Sequence, residues 1–243
     1  MKIMKPIVFF RVDVSEKIGY GHGYRCLAIA EMIAEKFSPV FCVSEKMSET
    51  FFKQNQYLVY YNDSWGIDEF ERLRHNLQTN TKNNLIIIDG YQFSSDYQKT
   101  LSSRFKTIVI DDLAENKIHA DVVINHGGGI LASEYFEKTS AKVFTGLAYA
   151  LLRKEFLNEA KQEKSFSKNQ KVLILFGGSD PLDYTKKAVD RLIDNEITLN
   201  IEVILGPGYN HKESISFYEK NNIRVHRSLN VNQLIELYKT QLV

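Results

Sequence analysis

Little in this chain is extreme, and what it lacks removes several classes of protein. Its 243 residues include only two cysteines, Cys26 and Cys42. That is too few for a disulfide framework or a cysteine-based structural zinc site. Both lie in apolar stretches, as buried thiols in a reducing compartment do. Neither sign of charge is in excess: 31 Lys and Arg stand against 30 Asp and Glu, a formal net charge of +1. Such a balance offers no bulk attraction to nucleic acid or to an anionic membrane, so any phosphate binding has to be local. No apolar run reaches the roughly 18 residues of a membrane span. The opening MKIMKPIVFF runs straight into a strand-like segment without the layout of a signal peptide. The expectation is a cytoplasmic protein. Internal repeats and low-complexity tracts are missing too. With 44% apolar and 25% charged residues, disorder, collagen and coiled coil are poor readings.

What is present is an alternation. Short runs rich in Val, Ile and Phe recur: IVFFRVDV (7–14), VFCVS (40–44), YLVYY (57–61), NLIIIDGY (84–91), TIVIDD (107–112), DVVINH (121–126) and KVFTG (142–146). A second set is KVLILFGG (171–178), IEVILG (201–206) and IRVHRSL (223–229). Continuous apolar runs fit strands covered on both faces. Helix-period segments such as YRCLAIAEMIAEKF (24–37) and DEFERLRHNLQ (68–78) lie between them. The pattern predicts an α/β fold with mainly parallel sheets. Between the sets, residues 151–170 start helical and turn polar and charged. The predicted division is therefore a domain at 1–163 and a second at 164–243. Three strands make a small second half with a bare edge, so that domain reads as shortened.

The most informative segment is RVDVSEKIGYGHGYRCLAIA (11–30). Here a strand gives way to a glycine-rich loop and then to a helix predicted to begin near Gly23 or Tyr24. Gly19 and Gly21 permit positive φ and close approach of a ligand to the backbone. The helix N-terminus adds unpaired donors and partial positive charge. The dinucleotide fingerprint G-x-G-x-x-G is not matched, which demotes NAD or FAD. His22 sits between glycines at the carboxyl end of the first strand, where open α/β sheets place ligands. A histidine so flanked has little beside it to bury it, and its pKa suits general-base work. A surface histidine, or a substitute N-cap, is the plainer alternative. Arg11 and Asp13 share one strand face, either as an ion pair that holds the loop or as substrate contacts. Arg25 in the first helical turn opposes the helix dipole. That placement makes sense beside a phosphate or a carboxylate.

Other strand ends carry polar groups. Asp89, Gly90 and Tyr91 close one strand, and Asp111 and Asp112 close the next. The paired carboxylates can bind a metal, share a proton, or cap the next helix. No further ligand follows at metal spacing, so no metal is expected. Asn125, His126 and three glycines end another strand, either as a ligand loop or as a turn. In the second half, LILFGGSDP (173–181) reads as strand, Gly-Gly turn, Ser179 or Asp180 as N-cap, and Pro181 at the first helical position. The same geometry makes a pyrophosphate cradle from Gly177, Gly178 and Ser179, with Asp180 beside them. Two glycine-rich edges of this kind suggest a cleft between domains.

Five motifs in order carry a resemblance: R-x-D-x4-I-G-x-G-H-x-x-R-C-L-x-I-A from Arg11 to Ala30, I-D-G-Y (88–91), I-D-D (110–112), G-L-A-Y-A-L-L-R-K-E-F (146–156) and F-G-G-S-D (176–180). The chain resembles the UDP-2,4-diacetamido-2,4,6-trideoxy-β-L-altropyranose hydrolases of pseudaminic acid biosynthesis. It is similar as well to the spore-coat polysaccharide proteins and to the GT-B glycosyltransferase that makes lipid II. The resemblance implies a GT-B fold, two Rossmann-like domains facing a cleft. It implies metal-independent, inverting hydrolysis of a UDP-sugar without a cofactor. His22 would match the catalytic histidine that activates water, and Tyr91 a tyrosine of the sugar site. Arg11, Asp13, Gly19, Gly21, Arg25 and Asn125 would complete the substrate contacts. Gly177, Gly178, Ser179 and Asp180 would hold the nucleotide. The partner is a small-molecule UDP-sugar, and the protein is expected to be a monomer. Gly23 stands where that family usually has a branched apolar residue, and is expected to loosen the loop. A glycosyltransferase of the same fold and an inactive nucleotide-sugar-binding homologue are the alternatives.

Overall fold

Alternation of side chains between two covered faces explains the first sheet. In β1 (Ile7–Val12) every residue is buried. Ile7 and Phe9 point into one apolar cluster, while Val8, Phe10 and Val12 point into another on the opposite face. Successive side chains of a strand face opposite ways, so an unbroken apolar run needs cover on both sides. Helices supply it. The computed structural model describes residues 5–77, 85–162, 171–196, 200–227 and 229–239.

After β1 come α1 (Gly21–Ile33), β2 (Ser38–Val43), α2 (Lys46–Gln54), β3 (Leu58–Tyr61), α3 (Ile67–Asn76), β4 (Leu85–Asp89), α4 (Ser95–Ser102), β5 (Lys106–Ile110), β6 (Val122–Asn125) and β7 (Lys142–Thr145). The seven strands form one sheet in the order β3-β2-β1-β4-β5-β6-β7. All neighbours are parallel. The chain builds outward from β1 through β2 and β3, then returns to place β4 on the other side of β1. At that reversal the connections leave β1 and β4 in opposite directions. The resulting crevice at their carboxyl ends is where open α/β sheets bind ligands.

Then follow α5 (Lys154–Glu159), β8 (Lys171–Leu175), α6 (Tyr184–Asp194), β9 (Asn200–Leu205), α7 (Lys212–Lys220), β10 (Arg224–Arg227) and α8 (Val231–Lys239). Here three parallel strands run in the order β10-β9-β8. Ile174, Val189, Val203, Leu205 and Tyr218 form the core of this part.

The chain divides into two compact units. One contains Met1–Ser15 and His22–Arg153, the other Glu16–Gly21 and Lys154–Val243. The boundary expected at 163/164 lies outside the described residues. Helix α5 packs on α8, and Lys239 pairs with Glu159 at 3.1 Å, which groups α5 with the second unit. Two helix starts differ from expectation. Helix α1 begins at Gly21 rather than near Gly23, so His22 is helical and not in the loop. Helix α6 begins at Tyr184 rather than at Pro181, because Asp183, at φ 51°, is its N-cap.

Candidate active site

The site in the first unit begins with the turn from β1 into α1. Gly19 at φ 87° occupies the left-handed region that favours glycine. A Cβ on Gly23 would lie 2.5 Å from Val14 Cγ1 and 2.8 Å from Phe51 Cε1. Glycine at 23 therefore tightens the seat of α1 and does not loosen the loop. With the helix starting at Gly21, His22 and Arg25 are three residues apart on one helical face, where side chains meet.

Strand β4 delivers the group they meet. Val12 of β1 sits opposite Asp89 in the ladder, and Asp89 is fully buried. Its Oδ1 accepts from His22 Nδ1 at 2.8 Å and from Arg25 Nη2 at 2.5 Å. Its Oδ2 accepts from Arg25 Nε at 2.6 Å. A two-pronged guanidinium–carboxylate pair of this kind is both strong and orienting. Burial alone would raise the Asp89 pKa, but the hydrogen bonds and charges of Arg25 and His22 outweigh it and hold the group below the ordinary carboxylate range. Burial likewise works against the Arg25 cation, and Asp89 and Asp112 overcome it, so Arg25 stays charged.

An ionised Asp89 fixes the histidine tautomer. Arg25 Nη2 also lies 2.9 Å from His22 Nδ1, but Nδ1 sits 2.8 Å from an ionised carboxylate oxygen, which only accepts, and two acceptors would repel at that distance. Nδ1 therefore carries the proton and donates to Asp89. This assignment follows from the hydrogen-bond network. It leaves the basic lone pair on Nε2.

A second layer surrounds this pair. Arg25 Nη1 reaches Asp112 Oδ2 at 2.7 Å, just beyond the end of β5, and His126 Nε2 at 3.2 Å, just beyond β6. Arginine only donates, so His126 Nε2 accepts. Burial, and then the Arg25 charge, push the His126 pKa down. Tyr91 donates to Asp112 Oδ2 at 3.1 Å, and its ring stands edge-on to His22 with centroids 4.8 Å apart. Burial and the neighbouring Asp112 push the Tyr91 phenol up to about 12. His22 is 5% exposed and Tyr91 64%. The flanking glycines were expected to leave His22 uncovered. Its cover comes instead from residues distant in sequence.

The remaining expected residues are placed otherwise. Arg11 pairs with Asp13 at 2.7 Å and also bonds Cys42 O and Ser44 Oγ. Asp13 Oδ1 accepts from Ser44 N and Glu45 N. Both are buried, so of the two readings the ion pair that holds loops is the one observed. Asn125 is 1% exposed. Its Nδ2 donates to Tyr135 Oη, and its Oδ1 accepts from Gly127 N, both at 2.9 Å. It organises the turn after β6 rather than presenting a free amide. Gly21 is exposed at the start of α1. Asp111 turns away from Asp112, toward Tyr135 Oη and Ala114 N.

In the second unit, Gly177 adopts φ 71°. Gly206 has no room for a Cβ beside the Gly178 backbone, and Gly208 N donates to Gly178 O at 2.9 Å. Ser179 lies in the same half-buried turn. Asp180 is 6% exposed and accepts from Tyr184 N, Thr185 N and Thr185 Oγ1. The leading amides of α6 thus already have carboxylate partners from Asp180 and Asp183, and Asp180 is not available to a nucleotide. Asp89, Asp112 and His126 stand out in the sequence only as polar strand ends, with no role beside His22. Their signal was present, since each is a polar residue at or just past the end of an apolar strand.

No protein-family model matches the chain. The chain is 29% identical over 245 residues to an uncharacterized protein of Methanocaldococcus jannaschii, covering 93% of this chain and 49% of that one. It is 32% identical over 177 residues to the UDP-2,4-diacetamido-2,4,6-trideoxy-beta-L-altropyranose hydrolase of Campylobacter jejuni serotype O:2, covering 71% of this chain and 61% of that one. The chain thus spans about half to three fifths of these relatives' lengths. Among solved structures it resembles MurG of Acinetobacter baumannii, with a TM-score of 0.55 at 13% identity, over 97% of this chain and 70% of that one. At that identity the likeness is one of fold, and it agrees with an α/β architecture of Rossmann-like units with parallel sheets, the GT-B-like class. Among the described residues no helix is long and apolar enough to cross a membrane.

Proposed function

We propose that this chain carries the catalytic base of a nucleotide-sugar hydrolase that cleaves UDP-2,4-diacetamido-2,4,6-trideoxy-β-L-altropyranose to UDP and free sugar. The observation that carries the reading is the 2.8 Å bond between His22 Nδ1 and the buried Asp89. It orients the ring and leaves Nε2 as the base. The 32% identity to a protein bearing that hydrolase's name supports the substrate.

In this reading His22 Nε2 takes a proton from water as its oxygen attacks the anomeric carbon from the face opposite UDP. The carbon–oxygen bond to the diphosphate breaks, its electron pair leaves on UDP, and the configuration inverts. UDP departs as a diphosphate whose added negative charge is spread over its phosphoryl oxygens, so the step does not depend on a strong general acid or a metal. Asp89 steadies the imidazolium as it forms and does not itself take the proton. Tyr91, beside His22, meets the sugar. Gly177, Gly178 and Ser179 would contact the nucleotide through loop backbone.

The test is to incubate the protein with that UDP-sugar, without an acceptor, and to follow UDP and the sugar anomer by NMR. UDP release with inverted sugar is expected. His22→Ala should slow it by roughly 10²–10⁴-fold, the usual worth of a general base. An unchanged rate in a variant with native circular dichroism would remove His22 from the mechanism.

A further inference from the structure

We propose that Asp112 is the specificity-determining residue of this site, accepting a hydrogen bond from a neutral N–H or O–H group on the sugar. The inference rests on the nucleotide-sugar reading above and adds what part of the substrate is read, and by which atom.

The two oxygens of Asp112 are treated differently. Oδ2 is held by Arg25 Nη1 at 2.7 Å and Tyr91 Oη at 3.1 Å. Oδ1 is buried and has no hydrogen-bond partner among the described residues. An unmet buried carboxylate oxygen is costly, and native proteins rarely tolerate one without a reason. The neighbouring donors are committed elsewhere. Arg25 Nε and Nη2 go to Asp89, and Arg25 Nη1 is shared between Asp112 and His126. With these committed, Oδ1 is open to a donor that the described residues do not supply.

The surroundings select its class. With a guanidinium already on Oδ2, a further cation at this carboxylate would meet like charge at close range. An anion would face the carboxylate itself. A neutral donor suits both, as sugar hydroxyls and amide N–H groups do. Tyr91 shows how such a group is admitted. Its phenol is a neutral O–H on this same carboxylate, 64% exposed, and its 3.1 Å bond is longer than either Arg25 or His22 makes to Asp89. Tyr91 touches both this carboxylate and the His22 ring, so a sugar that engages Tyr91 lies beside both. Arg25 ties the two functions. It binds Asp89, which orients the base, and Asp112, which reads the sugar. A substrate lacking the donor would leave a charged acceptor unpaired, the arrangement that rejects analogues most strongly.

The experiment measures discrimination rather than activity alone. The named sugar offers three neutral donors: the acetamido N–H at C2, the hydroxyl at C3 and the acetamido N–H at C4. Binding of the UDP-sugar, its two singly N-methylated acetamide analogues and its 3-deoxy analogue is measured by calorimetry on the His22→Ala protein, where turnover does not interfere. One analogue should bind about 10–100-fold more weakly than the parent, the range of a hydrogen bond to a charged group. Adding Asp112→Ala should erase that difference, leaving parent and analogue equal. Asp112→Asn, which keeps the shape and a weaker acceptor, should shrink it without erasing it. If every analogue keeps its penalty in both variants, or none is penalised at all, the inference is wrong.

Hydrolysis by the native protein is scored separately. Turnover with discrimination indifferent to residue 112 refutes this inference and spares the hydrolase reading. Asp112-dependent discrimination without turnover does the reverse. A native protein that binds none of the four compounds overturns both.

Discussion

Two corners of this molecule are written almost alike and built differently. Both run from a buried parallel strand through glycines into a helix, at β1–α1 and at β8–α6. In the first, α1 carries His22 and Arg25 near its start, and both reach a carboxylate from another strand, Asp89 of β4. In the second, the leading amides of α6 are met by carboxylates from its own approach, Asp180 and Asp183. A helix N-terminus wants negative charge. Where the local sequence supplies it, the corner is closed and structural. Where the local sequence supplies a cation instead, Arg25, the negative charge comes from the neighbouring strand and engages one nitrogen of His22. The glycine-rich loop is the common part and does not distinguish the two.

The comparison breaks most visibly at Asp89. Asp89→Ala should lower unfolding stability by about 3–5 kcal/mol, because the buried Arg25 charge loses its main partner. Urea denaturation measures it. Asp89→Leu combined with Arg25→Met should be less damaging than Asp89→Ala, since a buried ion pair replaced by apolar groups is often neutral. A double variant as unstable as the single one would show that the corner is held by packing and not by the pair.

Acid should report the same charge. The Asp89 pKa is depressed in the folded protein, so the unfolded chain binds a proton more readily than the native one. The stability this provides is complete above the unfolded-state value, about 3.9. It is lost as pH falls through the lower folded value. In Asp89→Asn the fall in stability between about pH 5 and 2 should be shallower than in the native protein. Unfolding midpoints across that range give the slope, and equal slopes would contradict the assignment.

The smallest effect belongs to the second corner. Asp180→Ala removes an acceptor for two amides and a hydroxyl at the start of α6, and should cost about 1–2 kcal/mol, the worth of a good helix cap. It should leave the hydrolysis rate at saturating substrate unchanged. A rate loss as large as that of His22→Ala would make the two corners functionally alike after all.

How much of this was legible beforehand follows from where each signal resides. The apolar run of β1, interrupted only by Arg11, announced a strand covered on both faces, and both of its faces are covered. The alternation of runs and helices was enough for parallel α/β units. His22 and Arg25 stood out because a histidine between glycines and a cation at a helix start are locally odd. The start of α6 was misplaced because Ser179, Asp180 and Pro181 form a convincing local signal. Two left-handed residues, Asp180 at φ 42° and Asp183 at φ 51°, postpone the helix instead. Asn125 looked like a ligand at a strand end and is engaged by Tyr135, ten residues on, which no local pattern announces.

The amino-acid sequence alone determined the strands, their parallel class and the oddity of His22, because burial period and backbone preference are local properties. Which carboxylate would orient that histidine was decided only by the order of strands in the sheet. Placing β4 beside β1 brings Asp89 under α1, and placing β5 next brings Asp112 to Arg25. A buried charge is tolerated only where a partner reaches it, and reach is a matter of three dimensions.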